Sequence, residues 1–175
     1  MQTDWKSLRG KLDKSTIFEK AREILQQHGF TIAEFDDKKP WGGYFVISED
    51  QVAQFISVFF KGLELSDSQR LLKLSPKLLL VAPHQRLSWQ YHLRRAEIWK
   101  LVFGDARLIR SKFDLQGAEE ILAKDVAIQL ERGERHRLIG KTEWGIVAEI
   151  WLHTDPAYPS DEDDIVRLED DFSRV

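Results

Sequence analysis

The residues best placed to act together are polar and closely spaced. In Leu87-Ser-Trp-Gln-Tyr-His92, alternation along a strand puts Ser88, Gln90 and His92 on one face. A short turn over 93–96 leads into a second strand beginning at Glu97, with Trp99, Leu101 and Phe103 on its face. That face is apolar along its length, so the carboxylate at its end needs a cation or another ion partner. Arg94 and Arg95 are candidates for that partner, and a metal is another. His136 follows Glu131-Arg-Gly-Glu-Arg135, shares a face with Leu138 and is placed to complete the cluster.

The surrounding chain sets the frame. Its 175 residues, 42% hydrophobic and 31% charged, fit one soluble domain with a substantial core. A formal charge of -3 gives no reason to expect nucleic acid. The absence of cysteine excludes disulfides, thiolate nucleophiles and zinc–thiolate sites. The first fifteen residues carry charge throughout, without the apolar stretch of a signal peptide. Apolar runs fall far short of the ~20 residues of a membrane span, so a cytoplasmic protein without membrane contact is expected.

Thr16-Ile-Phe-Glu19 matches a capping box that opens a helix, with His28 near its end and Gly29 as its stop. Strands are expected over 30–35 and 44–47. Ser48-Glu-Asp-Gln51 matches a second capping box ahead of a helix over 52–60. From Leu71 onward, short apolar runs with turn signals predict strands over 71–74, 77–82, 86–92, 96–103, 106–109, 126–130, 136–139 and 144–152. A helical turn is expected over 117–122. Such a series reads as a β sandwich or barrel.

Longer motifs narrow this. Gln90-x-His92, four residues, Glu97, six residues and Gly104 match the first cupin motif, with glutamine where a histidine often stands. Gly133-x-x-His136 matches the centre of the second. Lys39-Pro-Trp-Gly42, Leu87-Ser-x-Gln-x-His92, Arg95-Ala-Glu-x-Trp99 and Glu162-Asp-Asp-Ile-Val-Arg167 extend the likeness. On these residues the chain resembles the mannose-6-phosphate isomerase family, in particular the type II cupin domain also found fused to mannose-1-phosphate guanylyltransferases. It departs at His84 (a glycine in the family), at Glu131 (a proline), at Leu93 and Arg94 (two histidines) and at Trp151 (a glutamine).

The resemblance implies a mainly β fold, a double-stranded β-helix or jelly-roll barrel over 39–155 with a helical insertion near 48–66. A helical elaboration over 1–38 would precede it, and an acidic tail over 156–175 would dock on it. It implies Gln90, His92, Glu97 and His136 as ligands of a divalent metal, zinc first, with manganese, iron, cobalt or nickel as alternatives. The implied activity is aldose–ketose isomerisation of mannose 6-phosphate or a related sugar phosphate such as a heptose phosphate. The alternative is a non-catalytic sugar or sugar-phosphate binder. Glu149 is the candidate base, with His153 a weaker one, and Arg95 is a catalytic cation. Arg137, Lys141 and Arg167 are the further phosphate candidates. A homodimer is a possible assembly.

Overall fold

The computed structural model describes residues 5, 8 and 12–173. Helix α1 (Lys14–Gln27) buries Ile17, Phe18, Ala21, Ile24 and Leu25. Its cap is Asp13, whose carboxylate accepts from the Thr16 amide at 2.8 Å. The helix therefore starts one turn before the Thr16 box. Beyond it, Gly29 takes φ +75°, a turn that releases the chain into Phe30. Burial pushes His28 below its ordinary value, so the end of the helix does not hold it charged.

Strands β1 (Ile32–Asp36) and β2 (Gly42–Ile47) follow, then a 3₁₀ turn and helix α2 (Val52–Phe59). Ser48 makes no side-chain cap there. The polar residues of that expected capping box tie loops together instead. The Glu49 carboxylate accepts from the Leu74 and Ser75 amides, and Gln51 bonds the Thr31 amide and the Gly29 carbonyl. A short helix, α3 (Asp67–Arg70), replaces the approach to the strand expected over 71–74. Leu71 is 86% exposed and Leu74 buried, with no ladder partner for that segment among the described residues.

The remaining strands are β3 (Lys77–Val81), β4 (Trp89–His92), β5 (Arg95–Phe103), β6 (Ala106–Ser111), β7 (Glu119–Ile121), β8 (Ala127–Leu130), β9 (Arg135–Gly140), β10 (Gly145–His153) and β11 (Ile165–Glu169). Strand β7 stands where a helical turn was expected. The run expected over 86–92 pairs continuously only from Trp89, with a single bridge from Arg86 to Ile139. A six-stranded antiparallel sheet, ordered β1-β2-β3-β10-β5-β8, faces a five-stranded one, β11-β4-β9-β6-β7. These two sheets form the barrel that the resemblance implied.

Alternation sorts the core. Leu78 and Leu80 of β3, Ala96 and Ile98 of β5, and Ile146, Ala148 and Ile150 of β10 join a cluster with the aromatic faces of α1 and α2. Their neighbours Leu79, Val81, Trp99, Leu101 and Val147 pack inside the barrel against Leu108 and Leu138. The same period sends Lys77, Glu97, Glu149 and Trp151 inward. A bulge opposite Ile146 and Val147 breaks the period, so Phe103 packs on the helical side rather than with Leu101.

Gly104 sits at φ +82° with Trp144 behind it, and a Cβ there would stand 1.7 Å from the Trp144 carbonyl oxygen. His84 takes a left-handed turn, φ +60°, at the position where the family it resembles has glycine. The last strand, β11, pairs with β4 and sets Ile165 opposite His92 and Arg167 opposite Gln90. Past it, Asp171 accepts two bonds from Arg86, at 2.7 and 2.9 Å.

Arg137 lies fully buried on β9 and donates to the Glu169 carbonyl at 3.1 Å, with the Glu169 and Asp171 carboxylates near it. Arg137→Ala is expected to lower unfolding free energy by about 2–4 kcal/mol, through a cavity and a lost ionic tie. Urea denaturation measures this. A loss below about 1 kcal/mol would mean that Arg137 does not hold the tail.

Candidate active site

Strand β4 ends on His92, β5 opens with Arg95 and Glu97, and β9 carries His136 directly opposite Gln90. His92, Glu97 and His136 are each 2% exposed. The His92 Nε2 stands 3.1 Å from one Glu97 oxygen, and the His136 Nε2 stands 3.5 Å from the other. Each imidazole spends Nδ1 on a backbone carbonyl: His92 on Asp164 at 3.1 Å and His136 on Glu134 at 2.9 Å. In the neutral form each imidazole would then turn its Nε2 lone pair inward, the second-sphere arrangement that metal-binding histidines require.

The His136 Nε2 is buried without a hydrogen-bond partner among the described residues. Donor atoms of the three side chains all lie within 4.8 Å of one another. Neighbouring ligands around one ion stand roughly 3–3.5 Å apart, given metal–ligand distances near 2.1 Å. The residues present therefore fit a divalent metal. Gln90 lines the adjoining cavity with Glu97, whereas His92 and His136 do not line it, and the Gln90 Oε1 accepts from the Ser88 hydroxyl at 2.5 Å.

Arg95 meets the same cluster. Its Nε donates to Glu97 at 2.8 Å and its Nη2 approaches the His92 Nε2 at 3.2 Å. Arg95, not Arg94, is thus the protein cation beside Glu97. Arg94 points to Asp161, Asp164 and the Pro159 carbonyl. The turn before β11 backs the whole group. The Asp164 carboxylate accepts from the Leu93 and Arg94 amides at 3.1 and 2.9 Å and from Ser160 Oγ at 2.7 Å. Ser160 Oγ in turn accepts from Arg95 Nη1 at 2.8 Å. His153 belongs to this wall, its Nδ1 accepting the Ser160 amide, and it does not line the cavity.

The cavity itself, about 310 Å³, lies between the sheets, near the small end for a ligand pocket. Gln90, Arg95, Glu97, Glu149 and Arg167 border it, together with Lys39, Lys77, Trp151 and Glu162. Arg137 and Lys141 do not. Arg137 faces the tail, and Lys141 is paired with Glu119 at 2.7 Å. Lys39 and Glu162 entered the sequence reading only as members of motifs, and Lys77 was not singled out. Lys77 was detectable, because it shares the inward period of Leu79 and Val81, as Glu97 shares that of Trp99.

Burial raises the Glu97 carboxyl, but the His92 and Arg95 side chains outweigh it and hold the group well below the usual carboxylate range. Burial pushes His136 down to about 4, with Glu97 opposing, so its imidazole is neutral. Burial pushes Glu149 up to about 7, and the negative charge of Glu97 adds to the rise. Lys77, Arg95 and a 2.6 Å bond from Trp151 Nε1 oppose it.

A carboxyl raised from 4.5 to about 7 on folding keeps its proton in the native state while the unfolded chain has lost it. Stability of the metal-free protein should then fall as pH rises from about 4.5 to about 7 and level off above, by on the order of 3 kcal/mol. Urea midpoints of wild type and Glu149→Gln across this range test the sign. Parallel curves would show that Glu149 ionises as an ordinary carboxylate.

Residues 60–170 match the family model described as mannose-6-phosphate isomerase C-terminal. The chain belongs to the mannose-6-phosphate isomerase C-terminal family. No curated protein sequence matches it. Among solved structures it is similar to the capsular polysaccharide assembling protein CapF of Staphylococcus aureus, with a TM-score of 0.51 and 12% identity. That match covers 80% of this chain and 32% of CapF, so the chain spans about a third of CapF's length. Weaker similarity joins it to an oxalate oxidase bound to glycolate (TM-score 0.44, 14% identity, 54% of this chain and 46% of that one). BH2720 of Bacillus halodurans is similar at a TM-score of 0.43 and 13% identity, over 50% of this chain and 67% of that one.

Two departures from the mannose-6-phosphate isomerase C-terminal family now have a physical setting. Leu93 is 57% exposed and Arg94 is turned to the tail, so this pair lies outside the cavity. Trp151 lies within it. The Arg95 guanidinium stands 3.7 Å and the Lys77 ammonium 4.0 Å from the centre of its ring, and its indole N–H holds Glu149. Among the described residues no helix is long and apolar enough to cross a membrane.

Proposed function

We propose that this chain is a metal-dependent sugar-phosphate isomerase, interconverting an aldose phosphate and a ketose phosphate of the mannose 6-phosphate, fructose 6-phosphate or heptose phosphate type. One observation carries the reading. A buried carboxyl whose proton affinity lies near neutrality, Glu149, borders the same cavity as Gln90, Arg95 and Glu97. A base for this chemistry works best when its pKa is close to the working pH.

Glu149 takes the proton from the carbon beside the carbonyl, and the electron pair moves to the carbonyl oxygen. The hydroxyl proton on that carbon passes to the former carbonyl oxygen, and the same carboxyl returns its own proton to the former carbonyl carbon, which exchanges aldehyde for ketone. Trp151 fixes one Glu149 oxygen through its 2.6 Å bond and leaves the other for the substrate. Arg95, 2% exposed, holds positive charge beside the developing enediolate. A divalent metal on Gln90, His92, Glu97 and His136, zinc first, would supply Lewis-acid polarisation of the substrate oxygens.

Metal-loaded protein assayed against hexose, pentose and heptose phosphates tests this reading, and no turnover on any of them would refute it. A non-catalytic binder is the second reading. It is favoured by Arg95, which already compensates Glu97 and bonds His92 without help from an ion. Binding of a sugar phosphate by a protein that carries no metal on elemental analysis and shows no turnover would select it.

A further inference from the structure

Among the charged groups that border the cavity, Lys77 has a single ion-pair partner and Arg167 keeps a buried Nε without a hydrogen-bond partner among the described residues. The Lys77 side chain is 8% exposed, enclosed between Trp151 and Tyr44, and its ammonium is paired with the carboxylate of Glu162. Glu162 is otherwise a solvent group, its side chain 62% exposed, on the turn that leads into β11. Arg167, on that strand, borders the cavity with its Nε buried and without a hydrogen-bond partner among the described residues. Lys39 borders the same space, 3.2 Å from Asp36.

We infer that Lys77, with Arg167 and Lys39, forms a phosphate-monoester subsite at the cavity mouth, and that Glu162 occupies it as an internal anion until a ligand phosphate displaces it. The inference rests on the sugar-phosphate reading and gives that reading a location for the phosphate. A buried ammonium keeps a counter-ion in every state, because leaving it unpaired is costly. Glu162 meets that need with one carboxylate on an exposed arm, which is a weak tie. A phosphate brings about two negative charges and three strong acceptor oxygens, enough to engage Lys77 and the free Arg167 N–H together. Exchange therefore swaps one anion for a better one without stripping the lysine bare.

Titration calorimetry with inorganic phosphate and with sorbitol 6-phosphate, which has no carbonyl to isomerise, reads this directly. Sorbitol is the uncharged control. Glu162→Gln removes the competitor on an exposed side chain and should bind both phosphate probes about threefold to tenfold tighter than wild type. Lys77→Met keeps the apolar stem and should bind them at least about tenfold more weakly, with Lys77→Arg recovering most of the loss.

Sorbitol affinity should not move in any of the variants. Unchanged or weaker phosphate binding in Glu162→Gln, undiminished binding in Lys77→Met, or no binding of either probe overturns the inference. Failure of the isomerase reading looks different: metal-loaded wild type would bind sorbitol 6-phosphate, respond to both variants as above, and turn over no sugar phosphate. Turnover with KM unmoved in both variants would overturn the subsite alone.

Discussion

Glu149→Gln should lower kcat of the metal-loaded protein on its sugar phosphate by about 10³-fold, within the range that a positioned acid–base group supplies. The substitution keeps shape and hydrogen bonding, since glutamine can still accept from Trp151 Nε1. It removes only the capacity to carry a proton. Metal content should stay at the wild-type value, because Glu149 does not belong to the proposed ligand set.

The pH profile adds a second check. In wild type, the rising limb of kcat/KM should reflect ionisation of Glu149, which burial raises above an ordinary carboxylate. In the variant that limb should disappear. A variant retaining more than about a tenth of wild-type kcat would remove Glu149 from the role of base.

Glu97→Ala should abolish metal binding and also destabilise the metal-free protein by about 3–5 kcal/mol, as expected for a buried ion pair that loses one partner. The uncompensated charge is Arg95, 2% exposed, whose Nε loses its 2.8 Å bond to Glu97. His136→Ala makes the informative comparison. It should also release metal, by at least about a hundredfold in affinity, yet cost far less stability, since burial already keeps that imidazole neutral and its Nε2 unbonded. Elemental analysis and urea denaturation of both variants separate the two effects. Equal stability losses would mean that the Arg95–Glu97 pair contributes little, and retained metal in either variant would overturn the ligand assignment.

The sequence exposed this site where side-chain period and polarity conflict. Glu97 interrupts an inward apolar series and His92 ends a strand, so both are visible without coordinates. Lys77 obeys the same rule and was passed over because it lies outside the motif blocks. Arg137 is the converse case. If His136 faces the barrel interior, its neighbour on the strand faces away, so period two alone excludes Arg137 from the cavity.

Local boundaries were harder to read. Asp13 and Thr16 both offer capping oxygens, and only packing of Ile17 and Phe18 decides the phase of α1. The leucines over 71–74 are apolar enough for a strand, but α3 and the Glu49 carboxylate claim that backbone first. The three-residue β7 lies at the surface and carries no apolar alternation, so only its pairing with β6 reveals it.

The bond from His92 Nδ1 to the Asp164 carbonyl spans 72 positions of chain. Three of the four proposed ligands sit within eight residues of one another, which suggests a centre that could assemble early and locally. The bond says otherwise. Until the turn before β11 is seated, nothing fixes which nitrogen of His92 looks inward, and Arg95 lacks its hold on Ser160. Competence of the donor set is therefore a property of the closed barrel, and an occupied centre reports that the turn before β11 is in place.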